Sequence, residues 1–378
     1  MQTNTQIQEG LAKINLQEGI FYNPHMELCR DLSSLVVAAC QDAGDLTLCD
    51  GMSATGIRGI RYKLENKNVA KIVFVDMEEK SCSLINENLK LNNLGPERLD
   101  IEVVNDDFNH VLYRGGNKFN FVEIDPFGSP VPFIRSAILN MRASHTGYLS
   151  ITATDTAVLC GAQPKACRLH YGSQPLDNYF CHETALRILI SYIARVASPL
   201  EMGVTPVFSL SKRHYLKVIL KVEKGSKPAL QSVSQQGFIS FCPSCFKVNI
   251  VYEPFLEKEC KCDSNSKIQW AGPLWLGKLW DSTTLKIMSE ENQKRNYKNK
   301  SEINHLLNTI ISEAEIPVPF YYDIHKIADK LRLQIPSFDS IIKKLEERGY
   351  KTSRTHFNNH AIKTDADAEE VINAIKEG

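Results

Sequence analysis

From Asp45 to Ser198 short apolar runs alternate with helical patterns, and no other feature limits the possible folds as strongly. The runs lie at Asp45–Asp50, Lys71–Asp76, Asp100–Val104, Phe119–Asp125 and Gly147–Thr152. Periodic stretches at Gly56–Asn66, Glu78–Asn92, Pro130–Arg142 and Phe180–Ser198 predict helices, the third with prolines near its start, where a missing N–H is harmless. Strands separated by helical crossovers pair in parallel and are covered on both faces, so they read as unbroken apolar runs. The alternation ends at Val204–Ser211 and Tyr215–Glu223, joined only by Lys212-Arg213-His214. So short a link makes an antiparallel hairpin, and one strand must run against the sheet.

At 378 residues the chain has room for more than one domain. Composition turns to Ser, Gln and Lys near Ser226, a cysteine cluster follows, and Ser289–Ser301 is again hydrophilic. The expected division is an α/β domain over 1–225, a cysteine-bearing segment over 226–288 and a basic tail over 289–378, the last two forming a smaller α+β C-terminal domain. Within the tail, Tyr322–Leu331 and Ser337–Arg348 predict amphipathic helices, Tyr350–Lys363 two short strands around Asn358-Asn359, and Asp367–Lys376 a last helix. Helix, helix and ribbon in this order is winged-helix-like.

The 44 Lys and Arg residues balance the 44 Asp and Glu residues, so no global charge draws the chain to nucleic acid or membrane. A nucleic-acid binder with this balance must concentrate its basic residues locally. No apolar run reaches membrane-spanning length. Met1 to Asn15 is polar and lacks the apolar stretch of a signal peptide. A cytoplasmic protein is expected, without membrane attachment or an evident obligate protein partner, and monomeric. The 11 cysteines are odd in number, and most sit singly in apolar stretches, as reduced packing residues do.

Two turns carry the chemistry. The first, Asp50-Gly51-Met52-Ser53-Ala54-Thr55-Gly56-Ile57-Arg58, joins a strand to a helix. Glycine lets a ligand approach the backbone, and the helix start offers free N–H groups. The turn is neither G-x-G-x-x-G nor a P-loop with its lysine, and alone it fits a structural turn equally well. Asp76 closes the next strand about 20 residues past Gly56, where a carboxylate accepts from ribose hydroxyls. Asp107-Phe108 follows the third strand, placed to read an adenine edge through the carboxylate and the Phe108 N–H. The second turn, Ile124-Asp125-Pro126-Phe127-Gly128-Ser129-Pro130, suits an acceptor amine. An exocyclic amine has its lone pair conjugated with the ring, so it must be held in line and relieved of a proton. Asp125 with a nearby backbone carbonyl does both, and Phe127 adds a stacking face. The bland alternative is a plain Asp-Pro turn.

Cys242-Pro-Ser-Cys245 and Cys260-Lys-Cys262 form two knuckles whose thiolates suit tetrahedral, structural zinc. The second knuckle is tighter than C-x-x-C. Lys343, Lys344, Arg348, Lys351, Arg354, His356, His360 and Lys363 cluster on the second tail helix and ribbon, and Lys294–Lys300 adds a basic run. A solvated face explains such charges, but their concentration favours phosphate contacts.

A parallel sheet ending in a hairpin resembles class I S-adenosylmethionine-dependent methyltransferases, though the alternation alone also fits a dinucleotide-binding dehydrogenase. Asp125-Pro126-Phe127 is similar to the Asn/Asp-Pro-Pro-Tyr/Phe turn of amino-methyltransferases acting on nucleobases. More specifically, the chain resembles the tRNA (guanine-26, N2)-dimethyltransferases of archaeal and eukaryotic type. The matching pieces are Glu18-Gly19-Ile20-Phe21-Tyr22-Asn23-Pro24, Arg30-Asp31, Ser53-Ala54-Thr55-Gly56-Ile57-Arg58, Asp125-Pro126-Phe127-Gly128-Ser129-Pro130, Thr152-Ala153-Thr154-Asp155-Thr156-Ala157, His214-Tyr215 and Gly272-Pro273-Leu274-Trp275. The resemblance implies Asp125 as the catalytic acid, with Phe21 and Phe127 above and below the target guanine and Pro126 beside it. It places Arg30 at the cofactor, where a guanidinium clamps the methionine carboxylate in two places. Asp50, Ser53, Gly56, Arg58, Asp76, Asp107 and Phe108 complete that site, although an Asp-Ala pair is common where Asp107-Phe108 stands. Thr154 and Asp155 either line the acceptor pocket or cap the segment that follows. The implied reaction is transfer of one and then two methyls from S-adenosylmethionine to N2 of guanine 26, with the tail gripping tRNA and the base flipped out. The alternatives are a methyltransferase for another guanine or adenine in RNA, and a catalytically silent RNA-binding protein on the same fold.

Overall fold

The computed structural model describes residues 5–95, 97–252, 260–262, 266–316 and 318–377. It begins with a hairpin that the alternation does not foretell, β1 (Thr5–Glu9) and β2 (Ala12–Leu16). Gly10 makes the turn at φ 52°, and a Cβ there would lie 2.0 Å from Glu65 Oε1, so only glycine lets the hairpin seat. A further helix, α1 (Glu27–Ala39), precedes the alternating region.

That region runs β3 (Leu46–Gly51), α2 (Ile57–Glu65), β4 (Val69–Asp76), α3 (Glu79–Leu91), β5 (Ile101–Asn105), α4 (Phe108–Arg114), β6 (Phe121–Ile124), α5 (Val131–Met141) and β7 (Thr146–Ala153). Two short helices, α6 (Thr156–Leu159) and α7 (Pro164–Tyr171), lead to α8 (Cys181–Ala197). Then come β8 (Met202–Lys212) and β9 (Tyr215–Lys224). The central sheet has seven strands in the order β5-β4-β3-β6-β7-β9-β8. Five are parallel, and β9 inserts antiparallel between β7 and β8, as the short link demands, here only Arg213 and His214 because Lys212 already pairs with Tyr215. Leu48, Ile72, Phe74, Val122 and Leu149 are wholly buried, each such side chain worth about 1.5–3 kcal/mol of transfer energy.

Register fixes the site. Gly51 pairs with Val75 on one side and Ile124 on the other, and Asp76 pairs with Asn105. The carboxyl ends of β3, β4, β5 and β6 therefore stand level, and their turns converge.

Beyond β9 lie α9 (Ser226–Ser234) and a three-stranded antiparallel sheet of β10 (Gln236–Phe241), β11 (Val248–Val251) and β12 (Gln269–Trp275), ordered β11-β10-β12. Helices α10 (Ser282–Lys294) and α11 (Lys300–Ala314) follow, and α10 packs on α1. The hydrophilic Ser289–Ser301 stretch thus spans the end of one helix and the start of the next. Its Arg295 donates to Ser34 Oγ at 2.8 Å and Asn66 Oδ1 at 2.8 Å, so that residue docks the turn onto α1 and α2.

The tail holds β13 (Tyr322–Asp323), α12 (Ile324–Leu331), α13 (Phe338–Glu347), β14 (Thr352–Arg354), β15 (Ala361–Thr364) and α14 (Ala368–Lys376). Its sheet order is β13-β15-β14, the arrangement of a winged helix. Tyr322-Asp323 pairs as a strand where the amphipathic pattern predicts helix, because Asp323 caps α12 through Lys326 N at 3.0 Å. Ser337 and Asp367 cap α13 and α14 in the same way, each from an amide three residues on. No helix among the described residues is long and apolar enough to cross a membrane.

Candidate active site

A cavity of about 540 Å³ opens over the converging turns, where ligands bind in open α/β sheets. Its first wall is the turn after β3. Met52, Ala54 and Gly56 have φ of 54°, 49° and 76°, a run of left-handed residues that only a tightly held turn sustains. Ser53 Oγ donates to Asp50 O at 2.6 Å and accepts from Val75 N at 3.1 Å, stapling β3 to β4. Asp76 accepts from Ala54 N at 2.8 Å and Glu78 N at 3.0 Å. A carboxylate so anchored keeps lone pairs for ribose hydroxyls.

Gly51 owes its identity to Phe108, since a Cβ there would lie 2.4 Å from the ring. Phe108 is buried, edge-on to Phe133 at 5.8 Å, so a larger ring than the common Ala is absorbed by packing beneath the turn. Asp107 caps α4 through His110 N at 3.0 Å. Asp50 directs Oδ2 at Gly59 N, 2.9 Å away. Burial pushes its carboxyl up to about 8, against the opposing pull of Arg58.

Arg30 reaches the cavity from α1, but its fork is engaged. Nε and Nη2 donate to Glu9 at 2.8 and 2.6 Å, and Nη2 also to Asn23 O at 3.0 Å. Tyr22 OH donates to the same Glu9 at 2.6 Å. The expected two-point clamp on a ligand carboxylate therefore requires Glu9 to release the fork. Glu9 is on the hairpin, and nothing in its polar surroundings in the sequence signals a buried partner.

Asp125 ends β6 on the opposite wall, its side chain 26 % exposed, in direct contact with Arg58 Nη2. Arg58 Nε also faces Glu123 Oε1 at 3.8 Å. Glu123 is fully buried, accepting from Tyr62 OH at 2.8 Å and from Lys217, whose Nζ lies 3.2 Å from Thr152 Oγ1. Burial opposes ionisation of Asp125, but Arg58 and then Lys217 outweigh it and hold the carboxyl below its usual range. Asp125 is thus an acceptor at neutral pH. Glu123 and Lys217 were legible only as charges set inside apolar strand runs.

The acceptor turn is braced from β7. Gly128 N donates to Thr154 Oγ1 at 2.7 Å, Thr154 N donates to Gly128 O at 3.0 Å, and Tyr171 OH links Ser129 Oγ at 2.8 Å to Asp155 Oδ2 at 2.8 Å. Asp155 makes no capping bond to α6; it and Thr154 serve the turn. Pro126 lines the cavity beside the two aromatics. Phe21 and Phe127 are 52 % and 78 % exposed, with centroids 4.7 Å apart and planes at 81°. They touch edge to face and leave no slot for a base between them.

The knuckles meet as the spacing suggests. Cys242 Sγ lies 3.9 Å from Cys262 Sγ and Cys245 Sγ 3.7 Å from Cys260 Sγ, with all four sulfurs within 4.8 Å of one another. Zinc bound to thiolates at about 2.3 Å sets sulfurs about 3.8 Å apart, so the set fits zinc despite its tight second knuckle.

The tail charges divide. Lys343, Arg348 and Lys351 are exposed and Lys344 half-buried, but Arg348 pairs with Glu370 at 2.9 Å and Glu377 at 2.5 Å. The guanidinium of Arg354 lies 3.7 Å from the Phe338 ring centroid. Two expected phosphate contacts are interior instead. Lys363 lies buried 3.3 Å from Glu183 Oε1, and His356 Nδ1 sits 2.7 Å from Glu313. β15 is the central strand of the tail sheet and all four of its residues are buried, so Lys363 has no solvent-facing position on it.

The model of a family described as N2,N2-dimethylguanosine tRNA methyltransferase matches residues 2–376. The tRNA (guanine(26)-N(2))-dimethyltransferase of Methanosphaera stadtmanae is 35% identical, over 98% of this chain and 96% of that protein. The tRNA (guanine(26)-N(2)/guanine(27)-N(2))-dimethyltransferase of Aquifex aeolicus is also 35% identical, over 98% of this chain and 95% of that one. Among solved structures, Trm1 from Pyrococcus horikoshii in complex with S-adenosyl-L-methionine superposes with a TM-score of 0.89 at 32% identity, covering 98% of this chain and 100% of that one.

Proposed function

Since the chain belongs to the N2,N2-dimethylguanosine tRNA methyltransferase family, we propose that it methylates the exocyclic N2 of guanine 26 in tRNA, once and then again. The observation that carries this reading is Asp125, ionised and partly exposed, on the same cavity as Asp76 and Asp107.

S-adenosylmethionine supplies the methyl as an electrophile on sulfur. Asp76 would hold its ribose, Asp107 and the Phe108 N–H its adenine, Arg30 and Arg58 its methionine end, with Asp50, Ser53 and Gly56 shaping the turn beneath. Asp125 and a carbonyl of its own turn would accept the two N2 hydrogens, aiming the nitrogen across the cavity. As N2 takes the methyl, the C–N bond would form while the S–CH3 bond breaks, leaving the neutral thioether S-adenosylhomocysteine and building positive charge on N2. Asp125 stabilises that charge and takes the proton. The first product keeps one N–H, so the same geometry serves a second transfer. Phe21, Phe127 and Pro126 would receive the flipped base.

The exposed Lys343 and Lys351 and the half-buried Lys344, with Arg348 and Arg354, are the proposed phosphate contacts. In this reading 1–225 is the catalytic unit, 226–288 a zinc-braced segment and 289–378 the RNA grip. The enzyme would act as a cytoplasmic monomer. The test is to incubate the protein and its Asp125→Ala variant with unmodified tRNA and labelled S-adenosylmethionine, then map the label. Dimethylguanosine at position 26, absent with the variant, is expected. Label at another base would remove the assignment, and cofactor binding without any product would favour a silent RNA binder.

A further inference from the structure

Away from the catalytic cavity and the four-cysteine knuckle, Cys160, Cys181 and His182 bring two sulfurs and an imidazole nitrogen within 4.8 Å of one another. They come from separate places in the chain. Cys160 ends α6, and Cys181 and His182 begin α8. The approach is enforced by Gly161, at φ 103°, where a Cβ would lie 2.8 Å from the backbone N of Asp177.

The spacing matches a metal polyhedron. Cys160 Sγ lies 3.5 Å from His182 Nδ1. Zinc–sulfur and zinc–nitrogen bonds of about 2.3 and 2.0–2.1 Å place those atoms about 3.5 Å apart on a tetrahedral edge. All three residues are half-buried, accessible to an ion yet fixed by the helices that carry them. The Asp177 carboxylate acts electrostatically on both thiols and adds negative charge beside the triad.

We propose that Cys160, Cys181 and His182 form a second soft-metal site for zinc or a divalent ion of its class, with the fourth position left to water. Two thiolates and an imidazole select such an ion over magnesium or calcium. The site would tie the loop after β7 to the start of α8. That loop begins at Thr154 and Asp155, which brace the acceptor turn, and α8 carries Glu183, which binds Lys363 of the tail. The metal would therefore clamp the acceptor side of the cavity to the element on which the tail is seated.

Metal content decides the matter on the full chain. Protein stripped with chelator and titrated with zinc should take up two equivalents. Cys160→Ser and, independently, the milder His182→Gln should each take up one, and a Cys242→Ser, Cys245→Ser double variant should also take up one. Circular dichroism verifies that each variant is folded. With cobalt as probe, the His182→Gln difference spectrum should lack the intensity of a four-thiolate centre, while the knuckle difference spectrum should show it. A single equivalent in the parent protein, lost with the knuckle variant alone, would overturn the proposal and leave a thiol–imidazole hydrogen bond. Two equivalents retained in both Cys160→Ser and His182→Gln, or a Cys160–Cys181 disulfide in protein as purified, would overturn it equally.

Discussion

The rings of Phe21 and Phe127 stand perpendicular, 81° apart, with centroids 4.7 Å from each other. A base stacked between two rings needs parallel faces with its own thickness between them, so the pair must part and one ring must turn before guanine enters. Both rings are largely exposed, so the rearrangement meets little packing resistance. Stacking on an aromatic is worth about 1–3 kcal/mol per base. Phe127→Ala should accordingly lower kcat/KM for tRNA by roughly 5- to 150-fold with the KM for S-adenosylmethionine little changed, and Phe127→Tyr should restore most of it. An Ala variant with parent kinetics would show that the base lies elsewhere.

Asp125 and Arg58 form the second pair to test. Asp125→Asn keeps an acceptor oxygen but removes the charge, and should reduce kcat by about 10²- to 10⁴-fold while cofactor affinity persists. The pH dependence follows from the lowered carboxyl. A depressed folded value means the ion pair's contribution is present above the ordinary carboxylate range and is lost only as pH falls through the still lower folded value. Single-turnover rates should therefore show no limb due to Asp125 from about pH 9 down to about pH 5, well above the reference value near 3.9. An inflection near neutrality that vanishes in Asp125→Asn would contradict this assignment.

Asp50 behaves in the opposite sense. Burial raises its folded value to about 8. For a raised group the stabilisation is complete below the unfolded value and is lost as pH rises through the folded one. Thermal melts should thus show the parent protein losing stability between pH 5 and pH 9, and Asp50→Asn, whose amide oxygen still accepts from Gly59 N, losing less. Equal losses in the two proteins would mean that Asp50 does not carry this pH dependence.

The sheet was legible because every strand of it is an apolar run bounded by turn residues, and the hairpin because three residues leave only one way to connect. The level strand ends follow from the register and bring Asp76, Asp107 and Asp125 to one cavity. What sequence could not supply depends on contacts distant along the chain. Glu9 engages Arg30 across 21 residues and Lys217 engages Glu123 across 94, and neither partner is marked by local pattern. The Phe108 ring, which packs against Gly51 and Phe133 beneath the turn, is likewise unmarked by local pattern. Lys363 reads as one more surface cation, because nothing in the local pattern says that both faces of the central strand β15 are covered.

Lys363 and Lys343 consequently make a contrasting pair. Lys363 is 1 % exposed and lies 3.3 Å from Glu183 and 3.7 Å from Glu313, two buried carboxylates of which Glu183 would keep Arg187 but Glu313 only Thr355 and His356. Removing one partner of a buried ion pair costs about 3–5 kcal/mol, so Lys363→Ala should shift urea unfolding by that order. Lys343 is 77 % exposed at its side chain and makes only a loose 3.8 Å pair with Glu347. Lys343→Ala should leave unfolding within about 0.5 kcal/mol of the parent, yet weaken tRNA binding and reduce the salt dependence of affinity by about one ion. The two effects separate because one lysine neutralises carboxylates inside the protein and the other is free to neutralise phosphate outside it. A salt slope unchanged in Lys343→Ala would move the RNA surface off this helix face.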